Sequence, residues 1–399
     1  MIDMTKVLAD TPGAARRVFL NSAGSSLMPA PVLDEVLGHL RREAEIGGYE
    51  AADEREADLE AGYGVFAELL GCRADQVAFT DSATRSWLAA LDAVPLSAGD
   101  RVLVGEVEYG GNAIALLMRA QAVGASVEVV PSDAGGTFAA DALAAMLDER
   151  VKLVSVVQVP TNGGIVADVR RISDAVHAGS DALVLLDACQ AVGQLAVDAE
   201  ALDVDILTGT GRKWLRAPRG TGFLVVRDRA KPVLRPKLAD LQGGTWTGAD
   251  SYLLRDDARV YELWECDNAG RLGLIAAARY LLDLGLDAVE QEVTQRGAYL
   301  RAALAEVPGV TVHDLGARKS GLVTFTIDGL DAAEVQEALA RQDIAVSVSR
   351  RSSTFHDMAR RGLVDIVRAS PHYFVTEAQL DTAVGAVAKL AAEAGHPAG

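Results

Sequence analysis

Cysteine is scarce. The chain has three in 399 residues, Cys72, Cys189 and Cys266, and their wide spacing argues against both a disulfide framework and a zinc site, so no metal is expected. No apolar run is long enough to span a bilayer, and no basic-then-apolar leader opens the chain, so a cytoplasmic protein that does not bind membranes is expected. Basic residues are outnumbered, with 38 Lys and Arg against 56 Asp and Glu and a net charge of −18. That balance repels nucleic acid and anionic lipid, and the pairs Arg350-Arg351 and Arg360-Arg361 read as solvated. Internal repeats and low-complexity tracts are also missing. Apolar residues, by contrast, make up 50% of the chain, enough at this length to bury large cores and to favour two domains over one.

The middle of the chain alternates short β-rich runs with helical patterns, as parallel βαβ units do, and the C-terminal part reads helix, strands, helix. Val32, Val36 and Leu40 should stripe one face of an early helix, and Leu380, Val384, Val387 and Leu390 one face of the last.

The most informative segment is GTGRKWLRAPRGTGFLVV, residues 209–226. It sets Lys213 between a polar turn and an apolar run that reads as a strand. A lysine that carries an aldehyde cofactor as a Schiff base must lose its proton near neutral pH, which needs desolvation or a neighbouring cation; Trp214 and Arg212 offer these. Upstream, ALVLLDACQAVGQLAVD (182–198) is a buried-strand pattern ending at Asp187. Open α/β sheets bind ligands at that end of their strands, and a carboxylate there can hold a pyridinium nitrogen protonated. Gln190 follows and could donate to a phenolic oxygen.

These residues, in this order, resemble the class V aminotransferase group of fold-type I pyridoxal phosphate (PLP) enzymes, which includes cysteine desulfurases, kynureninases and isopenicillin N epimerases. The resemblance covers nearly the whole chain from about Phe19. It implies PLP as cofactor, a homodimer, and an α/β fold: a large domain with a mostly parallel seven-stranded sheet (residues 30–271) and a smaller α+β domain (1–29 and 272–399). By the same resemblance, Ser82, Ala83 and Thr84 in VAFTDSATRSWLAAL cradle the cofactor phosphate at a helix N-terminus, and Tyr109 lies over the pyridine face. Thr161 and Asn162 stand beside the phenolic oxygen, and Thr210 and Arg212 bind phosphate, the arginine in place of the desulfurases' histidine. Arg368 in DIVRASPHYFVTEAQLD grips the substrate α-carboxylate. Leu263, Trp264 and Glu265 stand where the family has a Gly-Thr pair that reaches a neighbouring subunit's phosphate.

Lys213 would then hold PLP and act as general base at Cα, with Asp187 keeping the ring nitrogen protonated. A desulfurase needs a thiolate nucleophile in the loop before the strand bearing Arg368. Residues 346–362 contain no cysteine, so persulfide-forming desulfuration is not expected. β-Elimination, transamination, epimerisation and oxidative decarboxylation remain. EAEIGGYEAADE (43–54) and the Arg-Lys-Trp-Leu run look like the C–S lyases of ergothioneine biosynthesis, and NSAGSSLMP (21–29) like the isopenicillin N epimerase branch of secondary metabolism. The expectation is therefore a PLP-dependent lyase cleaving a cysteine S-conjugate to thiol, pyruvate and ammonia; an aminotransferase, epimerase or decarboxylating deaminase is the alternative. Asn21, Ala23 and Trp246 are expected on the substrate side, Trp246 also being a candidate dimer contact.

Overall fold

The computed structural model describes residues 2–395. After a short strand, β1 (Val18–Phe19), come three helices, Ala30–Ile46, Gly48–Glu54 and Glu56–Leu70. The next strands are β2 (Val77–Thr80), β3 (Arg101–Gly105), β4 (Ser126–Val130), β5 (Val151–Val157), β6 (Leu183–Asp187), β7 (Ile206–Thr210) and β8 (Gly222–Val226). They form one seven-stranded sheet in the order β2-β8-β7-β6-β5-β3-β4. Only β8 runs against its neighbours. Parallel neighbours need a crossover, whereas residues 211–221 turn straight back from β7 into β8 without one. The lysine segment is that turn.

The sheet is covered on both faces, which explains why its central strands read as continuous apolar runs. Side chains alternate: Val184, Leu186, Leu207 and Val225 enter one core, and Leu183, Leu185, Ile206 and Leu224 the other. The first core continues without a break into the second sheet through Phe325 and Val367.

A hairpin, β9 (Gly244–Gly248) with β10 (Ser251–Leu254), follows the large sheet. Beyond the long helices Asn268–Leu284 and Leu286–Ala305 lie β11 (Val310–Val312), β12 (Val323–Ile327), β13 (Ile344–Ala345), β14 (Ser347–Arg350) and β15 (Asp365–Ala369). Four of these form an antiparallel sheet in the order β11-β12-β15-β14, while β13 pairs in parallel with β1. Asn21 bridges to Ser370, so the N-terminal segment is tied to this smaller α+β unit. The helix Asn268–Leu284 is continuous through residues 271 and 272 and packs on Ala30–Ile46 and Glu56–Leu70.

The last helix, Glu377–Gly395, buries Leu380 and Val387 and half-buries Val384 and Leu390. The early helix departs from its expected stripe. Leu40 is 46% exposed, and His39 takes the buried place beside Val32. A helix face repeats at i, i+4 and i+7 as readily as at i+8, and Val36 packs against Gly273, where a Cβ would come within 2.5 Å of it.

Candidate active site

Strands β2, β3, β5, β6 and β7 run in one direction, so the segments that follow them meet at one edge of the sheet. They line a partly open cavity of about 100 Å³. Lys213, Asp187, Cys189 and Gln190 lie on one part of its wall, and Ser82, Ala83, Thr84, Tyr109, Thr161, Thr210 and Arg212 on the rest.

Lys213 opens the turn after β7, closed by the Arg216 N–H on the Lys213 carbonyl at 3.1 Å. Arg216 carries the left-handed backbone of that turn at φ 62°, a conformation costly for a branched-out side chain unless its surroundings hold it. They do. The Arg216 guanidinium is buried and donates to the Leu27 carbonyl, the Tyr373 hydroxyl and the Thr11 hydroxyl at 2.8, 2.8 and 2.6 Å. His372 accepts from the Tyr373 N–H at Nδ1, so its Nε2–H donates to the Trp214 carbonyl at 2.8 Å. Burial, and next the nearby Arg216, pulls His372 well below its usual pKa and fixes that neutral form. Gly193, at φ 100°, admits the same turn: a Cβ there would lie 2.2 Å from the Trp214 carbonyl carbon.

The Lys213 amine has no hydrogen-bond or ion-pair partner among the described residues. Burial lowers its pKa; Cys189 and Asp187 oppose that shift, and Arg212 and Arg368 reinforce it. A neutral amine is the nucleophile that imine formation needs.

Asp187 ends β6 and is buried. Its Oδ1 accepts from the Cys189 N–H and its Oδ2 from the Asn112 amide, both at 2.9 Å. Gln190 is held at both ends, donating to the Ala23 carbonyl at 3.0 Å and accepting from the Trp214 indole at 2.8 Å. Cys189 faces the cavity, but burial and the Asp187 charge push its thiol well above the usual range.

Across the cavity, Ser82 caps the helix Ala83–Ala93 by accepting from the Arg85 N–H at 3.1 Å. The first N–H groups of a helix have no partner within it, which suits a phosphate. β8 passes close beneath. A Cβ at Gly222 would lie 2.3 Å from the Ser82 carbonyl carbon and 2.5 Å from the Ala83 nitrogen. Thr210 sits beside this end, its hydroxyl on the Thr221 carbonyl at 3.4 Å. Arg212 reaches the Gly24 carbonyl. Tyr109, at the N-terminus of the helix Gly110–Val123, is 44% exposed toward the cavity.

Arg368 is buried and has no carboxylate partner among the described residues. It donates to Ser347 Oγ at 3.1 Å and to the Thr161 carbonyl and hydroxyl at 3.2 and 2.5 Å. Burial, then the nearby Arg212, lowers it to about 10. Asn162 is turned elsewhere: its amide donates to Asp357 at 2.8 Å, and it does not line the cavity with Thr161. Asn21 Oδ1 is buried without a partner, and the Ala23 N–H donates to Ser370 Oγ at 3.0 Å. Trp246 lies on β9, 76% exposed and outside this chain's cavity. Trp264 stacks obliquely on Tyr49, ring centroids 6.0 Å apart. Sequence reasoning missed Arg216, His372, Glu108 and Asn112; of these only the last two left a signal, an acid and an amide four residues apart after a strand.

The donor set fits PLP: an unpartnered buried amine, a buried carboxylate at a strand end and an open helix N-terminus across one cavity. The model of the class-V aminotransferase family matches residues 18–382. This chain belongs to that family. As a member of that family it is a fold-type I enzyme with PLP as its cofactor. A probable cysteine desulfurase of Methanothermobacter thermautotrophicus is 26% identical over 94% of each chain, and a cysteine desulfurase of Dickeya dadantii is 30% identical over 73% of this chain and 70% of its own. The cysteine desulfurase CsdA of Escherichia coli superposes with a TM-score of 0.89, covering 98% of this chain and 99% of its own, at 23% identity.

These relatives correct the expected activity. The sequence points to a lyase of the ergothioneine or isopenicillin N epimerase-like branches, acting on cysteine S-conjugates in secondary metabolism; both curated relatives are cysteine desulfurases instead. The exclusion of desulfuration rested on the missing cysteine of residues 346–362. That segment is a strand, a short 3-10 turn and a helix, Phe355–Arg360, and the similarity to cysteine desulfurases holds without a thiol in it.

Proposed function

We propose that this PLP enzyme is a desulfurase acting on L-cysteine, and that it passes sulfur to an acceptor thiol from outside the chain. The observation that carries the reading is the convergence on one cavity of a partnerless Lys213 and the Asp187 carboxylate, with the carboxylate-free Arg368 held against it through Thr161.

When bound, PLP supplies an electron sink for the bond broken at Cα. The protein's residues do the rest. Arg368 holds the substrate α-carboxylate, Thr161 fixing the guanidinium from behind. Lys213 takes the Cα proton and returns a proton on the product side. Asp187 would pair with the ring nitrogen, and the N–H groups of Ala83 and Thr84, the Ser82 and Thr210 hydroxyls and Arg212 would hold the phosphate. Tyr109, on the cavity wall, would cover the ring face.

The net reaction is L-cysteine plus RSH giving L-alanine plus RSSH: sulfur leaves Cβ oxidised by two electrons, and Cβ gains hydrogen. The acceptor is external because residues 346–362 lack a cysteine and burial keeps Cys189 protonated. All three cysteines are free, which suits a reducing cytoplasm. The exposed Leu238, Leu241, Trp246, Tyr252 and Leu253 around the hairpin form an apolar surface that supports a homodimer. No helix among the described residues is long and apolar enough to cross a membrane.

Incubating the holoenzyme with L-cysteine and increasing dithiothreitol tests the reading through the sulfur released. Sulfide formation should rise with the thiol and persist in Cys189→Ser. Sulfide release independent of any added thiol, and lost in Cys189→Ser, would overturn it.

A further inference from the structure

A second carboxylate lies behind Asp187. Glu108 follows β3, is 3% exposed, and has no ion-pair partner among the described residues. Its Oε1 accepts from the Tyr109 N–H at 2.8 Å and the Asn112 amide at 2.9 Å, and its Oε2 from the Ser155 hydroxyl at 2.7 Å. The same Asn112 nitrogen donates to Asp187 Oδ2 at 2.9 Å. One buried amide thus spends both of its hydrogens on two buried carboxylates, and it comes from a third element, the helix Gly110–Val123.

We propose that Glu108 and Asn112 are positioning residues: Glu108 anchors Asn112, and Asn112 holds Asp187 Oδ2 so that the carboxylate faces the cofactor's ring nitrogen. Burying an acid without a counter-ion is costly unless its oxygens are satisfied, and here one of the donors that satisfy Glu108, Asn112, also holds Asp187. The Tyr109 N–H contact is local, between neighbouring residues, and leaves the bridge to Asp187 unexplained.

The arrangement also tolerates titration. Among the described residues, the groups facing Glu108 are Ser155 from β5, Asn112 from the helix, Tyr109 on its own turn, and the charged Asp187 from β6. Burial raises Glu108 to about 7, with Ser155 and Asn112 opposing and Asp187 adding to the rise. A proton on Oε2 turns that oxygen from acceptor to donor toward Ser155, while Oε1 keeps accepting from Asn112. The clamp on Asp187 therefore survives in both protonation states.

This inference rests on the proposed pairing of Asp187 with the ring nitrogen, and the test separates the two. Holoenzyme loaded with PLP labelled with 15N in the ring is examined by NMR, alongside the PLP dissociation constant. The wild type should show a protonated ring nitrogen, lost in Asp187→Ala; a wild type without it would mean that the Asp187 reading fails first. With that established, Asn112→Ala and Glu108→Ala should shift the resonance toward the unprotonated ring and weaken PLP by about tenfold, the size of effect seen for residues that orient a ligating group from behind. Glu108→Gln keeps an acceptor for Asn112 and should restore both readouts. If Asn112→Ala does not fold, Asn112→Ser, too short to bridge both acids, replaces it with the same expected outcome. Unchanged resonance and affinity in the Asn112 and Glu108→Ala variants would overturn the proposal, and so would a Glu108→Gln protein that behaves like Glu108→Ala.

Discussion

At the scale of single residues, Lys213 and Arg368 make opposite kinds of claim. Lys213 is covalent chemistry, so Lys213→Ala should abolish the visible absorbance of bound PLP, and a variant that kept that band would remove the lysine from its role. Arg368 is recognition. Arg368→Ala should raise KM for L-cysteine by the loss of a buried charge-assisted pair, about 2–5 kcal/mol, while PLP binding persists; an unchanged KM would count against the carboxylate role. Glu108 makes a third claim through stability. Its folded pKa of about 7 stands above the carboxyl value of 4.5, so between those values the folded state holds more protons than the unfolded one and stability falls as pH rises. Glu108→Gln lacks that slope. In urea unfolding of the apoprotein from pH 5 to 8 the variant should gain on wild type, by on the order of 2 kcal/mol; parallel curves would show that Glu108 does not titrate there.

At the scale of elements, the strand ends were readable because buried parallel strands leave a continuous apolar signature that stops abruptly at a polar residue, as at Asp187 and Thr210. What holds the lysine turn was not readable. Arg216, His372 and Gly193 act through contacts with Leu27, Tyr373 and Trp214, and nothing local in the sequence marks a buried arginine whose partners come from other parts of the chain. Asn162 was placed beside the cofactor, yet Asp357 draws its amide away; that pull comes from the helix Phe355–Arg360, which is almost 200 residues downstream by the separation of 195. The close passage of β8 under the Ser82 helix yields a prediction at this scale. Gly222→Ala would push a Cβ into backbone rather than a movable side chain, displacing the N–H groups that face the phosphate. PLP affinity should fall with secondary structure intact by circular dichroism, and an unaltered affinity would show that the helix N-terminus does not hold the phosphate.

At the scale of the whole molecule, the two-sheet architecture was legible from periodicity and resemblance together, while the activity was misread from one absent residue. The segment that lacks the cysteine supports the site from outside: β14 holds Arg368 through Ser347 and the helix Phe355–Arg360 holds Asn162 through Asp357, and neither enters the Asp187 contacts. The exposed hairpin predicts assembly. Trp246→Glu combined with Leu241→Glu should turn a dimer into a monomer in sedimentation velocity, and a wild type that sediments as a monomer would leave that apolar surface unexplained.

The central claim concerns the fate of the substrate's carbon. The most direct measurement is the product formed from 13C-labelled L-cysteine by holoenzyme with excess thiol, followed by NMR. Desulfuration predicts labelled alanine in proportion to the sulfur transferred; labelled pyruvate with ammonia, and no alanine, would contradict it.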